Sequence, residues 1–197
     1  MPSIEIRPAN EARWEDLQAI FGTRGDPSRC RCQRYKMAPR ESWASVGSDA
    51  LAARMREQAD CGGPDRGATS GLVAYLDGEP AGWCAVEPRA NYGRLRRDTR
   101  VPWEGRDEDK ADGSVWAVTC FVTRAGFRRR GVTRGLAAAA VEHARTRGAR
   151  ALEAYPITTT EVILEELHVG TVATFAAAGL QVVSRPTPRR VVMRIDF

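Results

Sequence analysis

Arg128-Arg129-Arg130-Gly131-Val132-Thr133-Arg134-Gly135-Leu136 stands where a strand-like run ends and a helix-like run begins. Residues 114–123, just before it, are rich in β-branched and aromatic side chains, which favours a buried strand. Gly131 allows the backbone to approach a ligand closely, and the amides of a first helical turn have no intrahelical partners. With several guanidinium groups at hand, the turn predicts a site for an anion such as a diphosphate. The alternative is a charged turn in front of a surface helix.

Strand and helix patterns alternate along the rest of the chain. Asp77-Gly78 between two apolar runs predicts a tight hairpin turn. The helix after the Arg-rich turn should connect two parallel strands through a right-handed crossover. Residues 22–40 and 156–166 look irregular, residues 61–67 break a helix, and residues 87–113 form a long polar connection of a kind that is often functional. Strands are predicted over 3–8, 70–76, 79–86, 114–123, 149–155, 180–184 and 191–195, and helices over 10–21, 41–61, 131–147 and 168–178.

Composition limits the classes of protein to consider. With 197 residues and 43% hydrophobic content, the chain is sized for a single domain over residues 1–197. The net charge of +5 would suit a nucleic-acid-binding protein, but 25 acidic residues are interspersed with the 30 basic ones, so we expect no nucleic-acid partner. No run of about 18 apolar residues predicts a membrane span, and the N-terminus has no secretion signal. Five cysteines, an odd number, favour free thiols in the cytoplasm.

The Arg-rich turn resembles the acyl-CoA loop of the GNAT superfamily of N-acyltransferases, whose pattern is [RQ]-x-x-G-x-[GA]. It reads Arg128-x-x-Gly131-x-Thr133 here, so its last position departs from Gly or Ala. Residues 79–83, 143–152 and 175–180 match further family segments, and the segments 30–32, 115–121 and 153–156 are similar to those of little-characterised bacterial members. The resemblance implies an α/β (α+β) GNAT fold, a mixed and mostly antiparallel central sheet flanked by helices.

The same resemblance implies acetyl-CoA as the acyl donor. In the family the strand before the loop pairs with the pantetheine arm through its exposed backbone, and Phe121, Val122 and Thr123 hold those positions. The helix dipole would add favourable potential for the diphosphate. Thr133 narrows the cradle, but its hydroxyl can donate to a phosphate oxygen. The loop residues implied in cofactor binding are Arg128, Arg129, Arg130, Gly131, Val132, Thr133 and Arg134.

Catalytic residues are harder to assign, because the family's frequent acid, a tyrosine four residues before the late glycine, is Phe175 here. Tyr155 is the substitute candidate for the acid, and its alternative role is that of a half-buried aromatic. Glu153 shares its strand face and is a candidate base, or else a solvated surface residue. His168 is a candidate proton relay near the open end of the sheet, whereas His143 is expected to pack at a helix end.

The acceptor is expected to be a small-molecule amine bound by the early helices and the connection over 87–113. Aromatic walls with an acidic residue such as Glu87 would suit an amine. The candidate wall residues are Tyr35, Trp43, Tyr92 and Trp103. An alternative is a non-catalytic acyl-CoA-binding or regulatory module that kept the loop and lost the chemistry. A homodimer is plausible by analogy with the family alone.

The cysteines do not predict a metal site. Cys30-x-Cys32, with Cys61 as a possible third ligand, lacks the second matching pair of a zinc knuckle. We therefore expect no metal, and we assign Cys30 and Cys32 to packing or to the acceptor-site wall. Cys120 is expected to be a small buried residue of the strand.

Overall fold

The computed structural model describes residues 3–63 and 69–197. Seven strands form one sheet in the order β1-β2-β3-β4-β5-β7-β6, and every neighbouring pair is antiparallel except β4 and β5. The strands are β1 Ile4–Pro8, β2 Gly71–Leu76, β3 Glu79–Pro88, β4 Val115–Thr123, β5 Ala151–Ala154, β6 Gln181–Thr187 and β7 Arg190–Asp196. The helices are α1 Trp14–Phe21, α2 Gly25–Cys30, α3 Trp43–Val46, α4 Ser48–Ala59, α5 Gly93–Asp98, α6 Val132–Thr146 and α7 Val172–Ala177.

The predicted hairpin is confirmed. Leu76 pairs with Glu79, which leaves Asp77 and Gly78 as a two-residue turn. Both have left-handed φ, 51° and 82°, as the favoured hairpin turn requires. This turn fixes the register of the centre of the sheet.

The strand that precedes the Arg-rich turn is only partly paired on one side. β4 and β5 run parallel from Val115↔Ala151 to Val118↔Ala154, joined by α6 as the sequence predicted. β4 then continues to Thr123 beside β3 alone, because β5 ends at Ala154 and the chain diverges toward a bridge between Ile157 and Thr171. The two parallel strands therefore open into a wedge at their carboxyl ends.

Helices cover both faces of the sheet. α6 buries Leu136, Ala137, Ala140 and Ala144 in the larger core cluster, on one face of β2 to β5. A second cluster on the other face brings α1 and α4 against Trp83 and its neighbours. Small alanine side chains let α6 lie close to the sheet, so the helix that follows the Arg-rich turn packs directly against the strands.

Several predicted boundaries differ from the observed ones. The helix predicted over 41–61 is two helices that meet at Gly47, because a capping box between Ser42 and Ser45 starts a separate short one. Residues 22–40 contain α2, and residues 87–113 contain α5. The helix predicted over 168–178 begins at Val172 with Thr171 as its cap, and His168 lies in the 3-10 segment Leu164–Val169 before it. Residues 64–68 of the predicted break at 61–67 lie outside the described residues.

No helix in the described ranges is long and apolar enough to cross a membrane.

Candidate active site

A cavity of about 570 Å³ fills the wedge at the carboxyl end of β4. The Arg-rich turn forms one of its ends. The segment around α2 and the 3-10 segment that contains His168 form the rest of its wall. Its lining residues include Gly22, Thr23, Arg24, Asp26, Cys30, Cys32, Arg34, Tyr35, Cys120, Phe121, Val122, Thr123, Arg124, Arg128, Arg129, Thr133, Glu165 and His168.

The Arg-rich turn presents a run of free backbone donors. The amides of residues 128–134 donate no hydrogen bond to any described residue, and Gly135 is the first to bond back, to the carbonyl of Gly131. Gly131 has a φ of +83°, a conformation that favours glycine, and it places these amides at the start of α6. Arg129, Arg128 and Arg134 are exposed beside them. The turn is therefore equipped to bind a phosphate group.

A second groove of about 350 Å³ continues the cavity along the start of α6. Thr123, Arg129 and Thr133 line both spaces. Thr133, the residue that departs from the loop pattern, has its Oγ1 3.3 Å from Oγ1 of Thr123. Its hydroxyl thus faces the end of β4 on the shared wall.

His168 lies in the wall of the cavity in a form suited to accept a proton. Its Nδ1 is 2.7 Å from the carbonyl oxygen of Glu165, so Nδ1 carries the hydrogen and Nε2 holds the lone pair. Nε2 is buried and bonds to no described residue, and the ring stacks on Tyr35 with centroids 6.4 Å apart. Burial, helped by the charges of Arg34 and Arg190, lowers the pKa of His168 to about 4. The imidazole is therefore neutral near pH 7.

Glu153 and Tyr155 share a strand face as predicted, but the structure brings them together away from the cavity lining. The Tyr155 hydroxyl donates to Oε2 of Glu153 at 2.9 Å, and both side chains are buried. Arg89 and Arg194 each donate to Glu153 at 2.9 Å, and Arg106 also contacts it. The alternative of a solvated Glu153 is thus wrong, because β7 and the connection between β3 and β4, residues 89–114, enclose this face.

The electrostatics of this cluster oppose the proposed chemistry of both residues. Burial would raise the pKa of Glu153, but the hydrogen bond and charge of Arg106, with the charge of Arg89, outweigh it and hold the pKa below its usual range. Burial, together with the Glu153 charge, raises the pKa of Tyr155 well above its usual value. Glu153 thus stays an anion with its lone pairs occupied, and Tyr155 keeps its proton.

Only part of the predicted acceptor wall lines the cavity. Tyr35 does, as do Cys30 and Cys32, whereas Trp43 carries the guanidinium of Arg34 on its ring. Two of the aromatic candidates lie elsewhere, since Tyr92 is fully buried and the Trp103 indole donates to the carbonyl of Leu95. Glu87 is buried in an ion pair with Lys36. Arg34 also lines the cavity and was not among the predicted site residues, because it lies in a segment with no periodic pattern.

A comparison of sequences identifies the family. The profile described as Acetyltransferase (GNAT) family matches residues 33–162. The chain belongs to the GNAT family. The matched range includes the whole of β4, the Arg-rich turn and α6, and it ends just before the 3-10 segment that contains His168. No curated protein sequence matches the chain significantly.

Solved GNAT structures share the fold over nearly the whole chain. PaiA N-acetyltransferase from Thermoplasma acidophilum, in complex with coenzyme A, is 14% identical with a TM-score of 0.52 and 99% of each chain covered. The putative acetyltransferase yncA from Salmonella typhimurium, with acetyl-CoA, is 12% identical with a TM-score of 0.53, covering 98% of this chain and 93% of that one. Aminoglycoside acetyltransferase AAC(6')-Ib, with coenzyme A, is 18% identical with a TM-score of 0.55, covering 98% and 95%. The predicted GNAT fold is therefore confirmed.

Proposed function

We propose that the protein is an acetyl-CoA-dependent N-acetyltransferase that acetylates the amine of a small molecule in a ternary complex. The observation that carries the proposal is the cavity that the acyl-CoA loop, the free edge of β4 and His168 line together. The free amides of residues 128–134 would bind the diphosphate of the donor. Phe121, Val122 and Thr123, on the unpaired side of β4, would hold the pantetheine arm so that the thioester reaches into the wedge.

His168 supplies the proton transfer in this proposal. The acceptor nitrogen attacks the thioester carbonyl carbon, a C–N bond forms, and the nitrogen becomes positively charged and strongly acidic. Nε2 of His168 then takes one proton from that nitrogen. The C–S bond breaks and the sulfur leaves with the bonding pair. Because burial makes the imidazolium of His168 a stronger acid than free imidazolium, it returns the proton to the departing thiolate.

This scheme needs no separate acid. Phe175 cannot donate a proton, and the hydroxyl of Tyr155 is committed to Glu153. Most of the rate would come from holding the amine against the thioester, a contribution that requires position more than side-chain chemistry. One histidine that takes and returns the same proton is sufficient for the balance of the reaction.

A second candidate function is a non-catalytic acyl-CoA-binding module. The observations that favour it are Phe175 at the usual acid position and the buried, committed hydroxyl of Tyr155. It differs from the first candidate in one measurable respect. A module of this kind binds acetyl-CoA and is indifferent to replacement of His168.

The test compares two histidines with similar surroundings and different positions. His168→Gln removes the base in the cavity, while His143→Gln removes a buried histidine of α6 that stacks edge-on against Trp116 and has a pKa also near 4. Acetyl-CoA binding is measured by calorimetry, and turnover by detection of free coenzyme A thiol with a panel of amines. We expect His168→Gln to lower kcat by about 100- to 10,000-fold with donor affinity unchanged, and His143→Gln to leave kcat unchanged.

Two results would contradict the proposal. Acetyl-CoA binding without turnover of any amine in the panel would favour the non-catalytic module. Equal kcat for the wild type and His168→Gln would show that the reaction proceeds without this base.

A further inference from the structure

The cavity wall carries more basic than acidic side chains, whereas an acceptor whose only charged group is an ammonium would favour acidic ones. Five arginines line the cavity, against two acidic residues, Asp26 and Glu165. Of these acids, Asp26 already pairs with Arg29 at 2.6 Å, outside the lining. A site built to hold a polycation would show the opposite balance, because each ammonium group would need an acidic partner.

The arginines fall into two groups. Arg124 pairs with Glu79 at 3.4 Å, and Arg128 and Arg129 lie on the acyl-CoA loop, where the phosphates of the donor account for them. Arg24 is exposed at the start of α2. Arg34 is half-buried in the wall that also contains Tyr35 and His168, and its charge contributes to the low pKa of His168. Arg34 is therefore close to the proposed base and is not part of the loop.

Arg34 is held in place without an anionic partner. Its guanidinium carbon lies over the ring of Trp43, 4.6 Å from the centroid, a cation–π contact that restrains the side chain. It makes no hydrogen bond or ion pair with any described residue, although its polar neighbours do, since Gln33 bonds to Gln58 and Lys36 pairs with Glu87. The fork of five N–H donors is thus oriented and available.

We propose that the acceptor carries a carboxylate as well as an amine, and that Arg34 binds this carboxylate while the amine lies at His168. The inference rests on the proposed function and specifies its substrate class. A guanidinium group matches a carboxylate in a two-bond geometry, and the N–H groups of Arg34 donate to no described residue that would compete for that contact. Arg34 would thus determine the preference for acceptors that carry a carboxylate.

The test uses matched pairs of compounds that differ only in the anionic group. L-amino acids and ω-amino acids of increasing chain length are compared with their primary amides as substrates, by release of coenzyme A thiol. Their N-acetylated forms are titrated by calorimetry into the protein saturated with coenzyme A. The variants are Arg34→Gln, Arg34→Lys and the control Arg56→Gln, whose guanidinium lies over Trp14 on the surface, 5.8 Å from the centroid.

We expect the wild type and Arg56→Gln to favour at least one acid over its amide by about 10- to 100-fold in kcat/KM and in affinity. Arg34→Gln should remove that preference, and Arg34→Lys should retain a part of it, with affinity for acetyl-CoA unchanged in both. A wild type that favours amides, or a preference that persists in Arg34→Gln, would overturn the inference. Weaker binding of acetyl-CoA to Arg34→Gln would also overturn it, by assigning Arg34 to the donor.

The two readouts separate this inference from the proposed function. Turnover of amines regardless of a carboxylate would leave the acetyltransferase assignment intact and reject the role of Arg34. An Arg34-dependent preference in binding without any turnover would retain the carboxylate site and reject the reaction.

Discussion

Replacement of Gly82 by alanine tests how β3 positions the Arg-rich turn at the start of α6. An added Cβ at residue 82 would lie 2.5 Å from Cγ1 of Val132 and 3.2 Å from Cδ1 of Leu136. Carbon atoms in contact are about 3.5–4.0 Å apart, so the first turn of α6 would have to move outward by roughly 1 Å. Overpacking of this kind costs about 1–3 kcal/mol, which for a chain of this size lowers Tm by about 2–12 °C.

The same displacement should weaken binding of the donor. Val132 is the first residue of α6, so its movement shifts the free amides of the loop away from the end of β4. A misplacement of about 1 Å in a binding site can cost about 100-fold, and we expect the Kd for acetyl-CoA to rise by about 10- to 100-fold. Calorimetry with acetyl-CoA measures this change, and a thermal melt measures the loss of stability.

Two variants sharpen the test. Gly135→Ala adds a methyl group to the same helix, but its Cβ would meet Ile6 at 3.4 Å and Ile4 at 3.6 Å, which are ordinary contacts. It should stabilise α6 by about 0.5–1 kcal/mol and leave binding unchanged. Val132→Ala combined with Gly82→Ala should recover most of the affinity, since the clashing methyl group is gone. Unchanged affinity and Tm in Gly82→Ala alone would refute the idea that β3 sets the position of the loop.

Three further predictions concern buried ionisable groups. Burial lowers the pKa of His143 to about 4, so below pH 6.5 the unfolded chain binds a proton that the native state does not. His143 should therefore lower the free energy of unfolding by on the order of 2 kcal/mol between pH 7 and pH 5. Denaturant titrations of His143→Gln should lack this contribution to the pH dependence. Glu153→Gln should cost about 3–5 kcal/mol in urea unfolding because it leaves buried arginines unpaired, whereas Glu142→Gln, in an exposed pair, should cost less than about 1 kcal/mol. Burial raises the pKa of Cys61 to about 11 and that of Cys30 to about 12. Because the thiolate is the reacting form, iodoacetamide at pH 8 should label Cys61 about 100-fold and Cys30 about 1,000-fold more slowly than free cysteine, as followed by mass spectrometry. Rapid labelling of either cysteine at pH 8 would contradict this prediction.

The sequence was sufficient to predict the sheet and the loop because both depend on local patterns. The Asp77-Gly78 turn determines its hairpin through backbone conformation alone. The predicted β4–α6–β5 unit follows from strand and helix periodicity together with the handedness of crossovers. Helix ends were less predictable, since the break at Gly47 depends on a serine capping box that competes with a continuous helical pattern.

The environment of Glu153 could not be read from the sequence. That Glu153 and Tyr155 share a face follows from strand periodicity, and the hydrogen bond between them confirms it. Whether that face is solvated depends on which strand lies beside β5 and on where the connection over residues 89–114 packs. Those are long-range contacts, made by Arg89 and Arg106 from that connection and by Arg194 from β7. No local pattern specifies them.

The ligand charge that the arginines indicate also depends on long-range contacts and not on the local sequence. Across the chain, 30 basic residues nearly balance 25 acidic ones, and the net charge says little about a ligand. In three dimensions Arg89 is fully buried and bonded to Glu153 and Glu108, so its charge is neutralised within the fold. Arg34 is oriented by an aromatic ring in a cavity wall and has no such acid among the described residues. Because a half-buried guanidinium with free N–H donors is stabilised by an anionic partner, the unpaired arginines of a cavity indicate the charge of its ligand, which the composition of the chain does not.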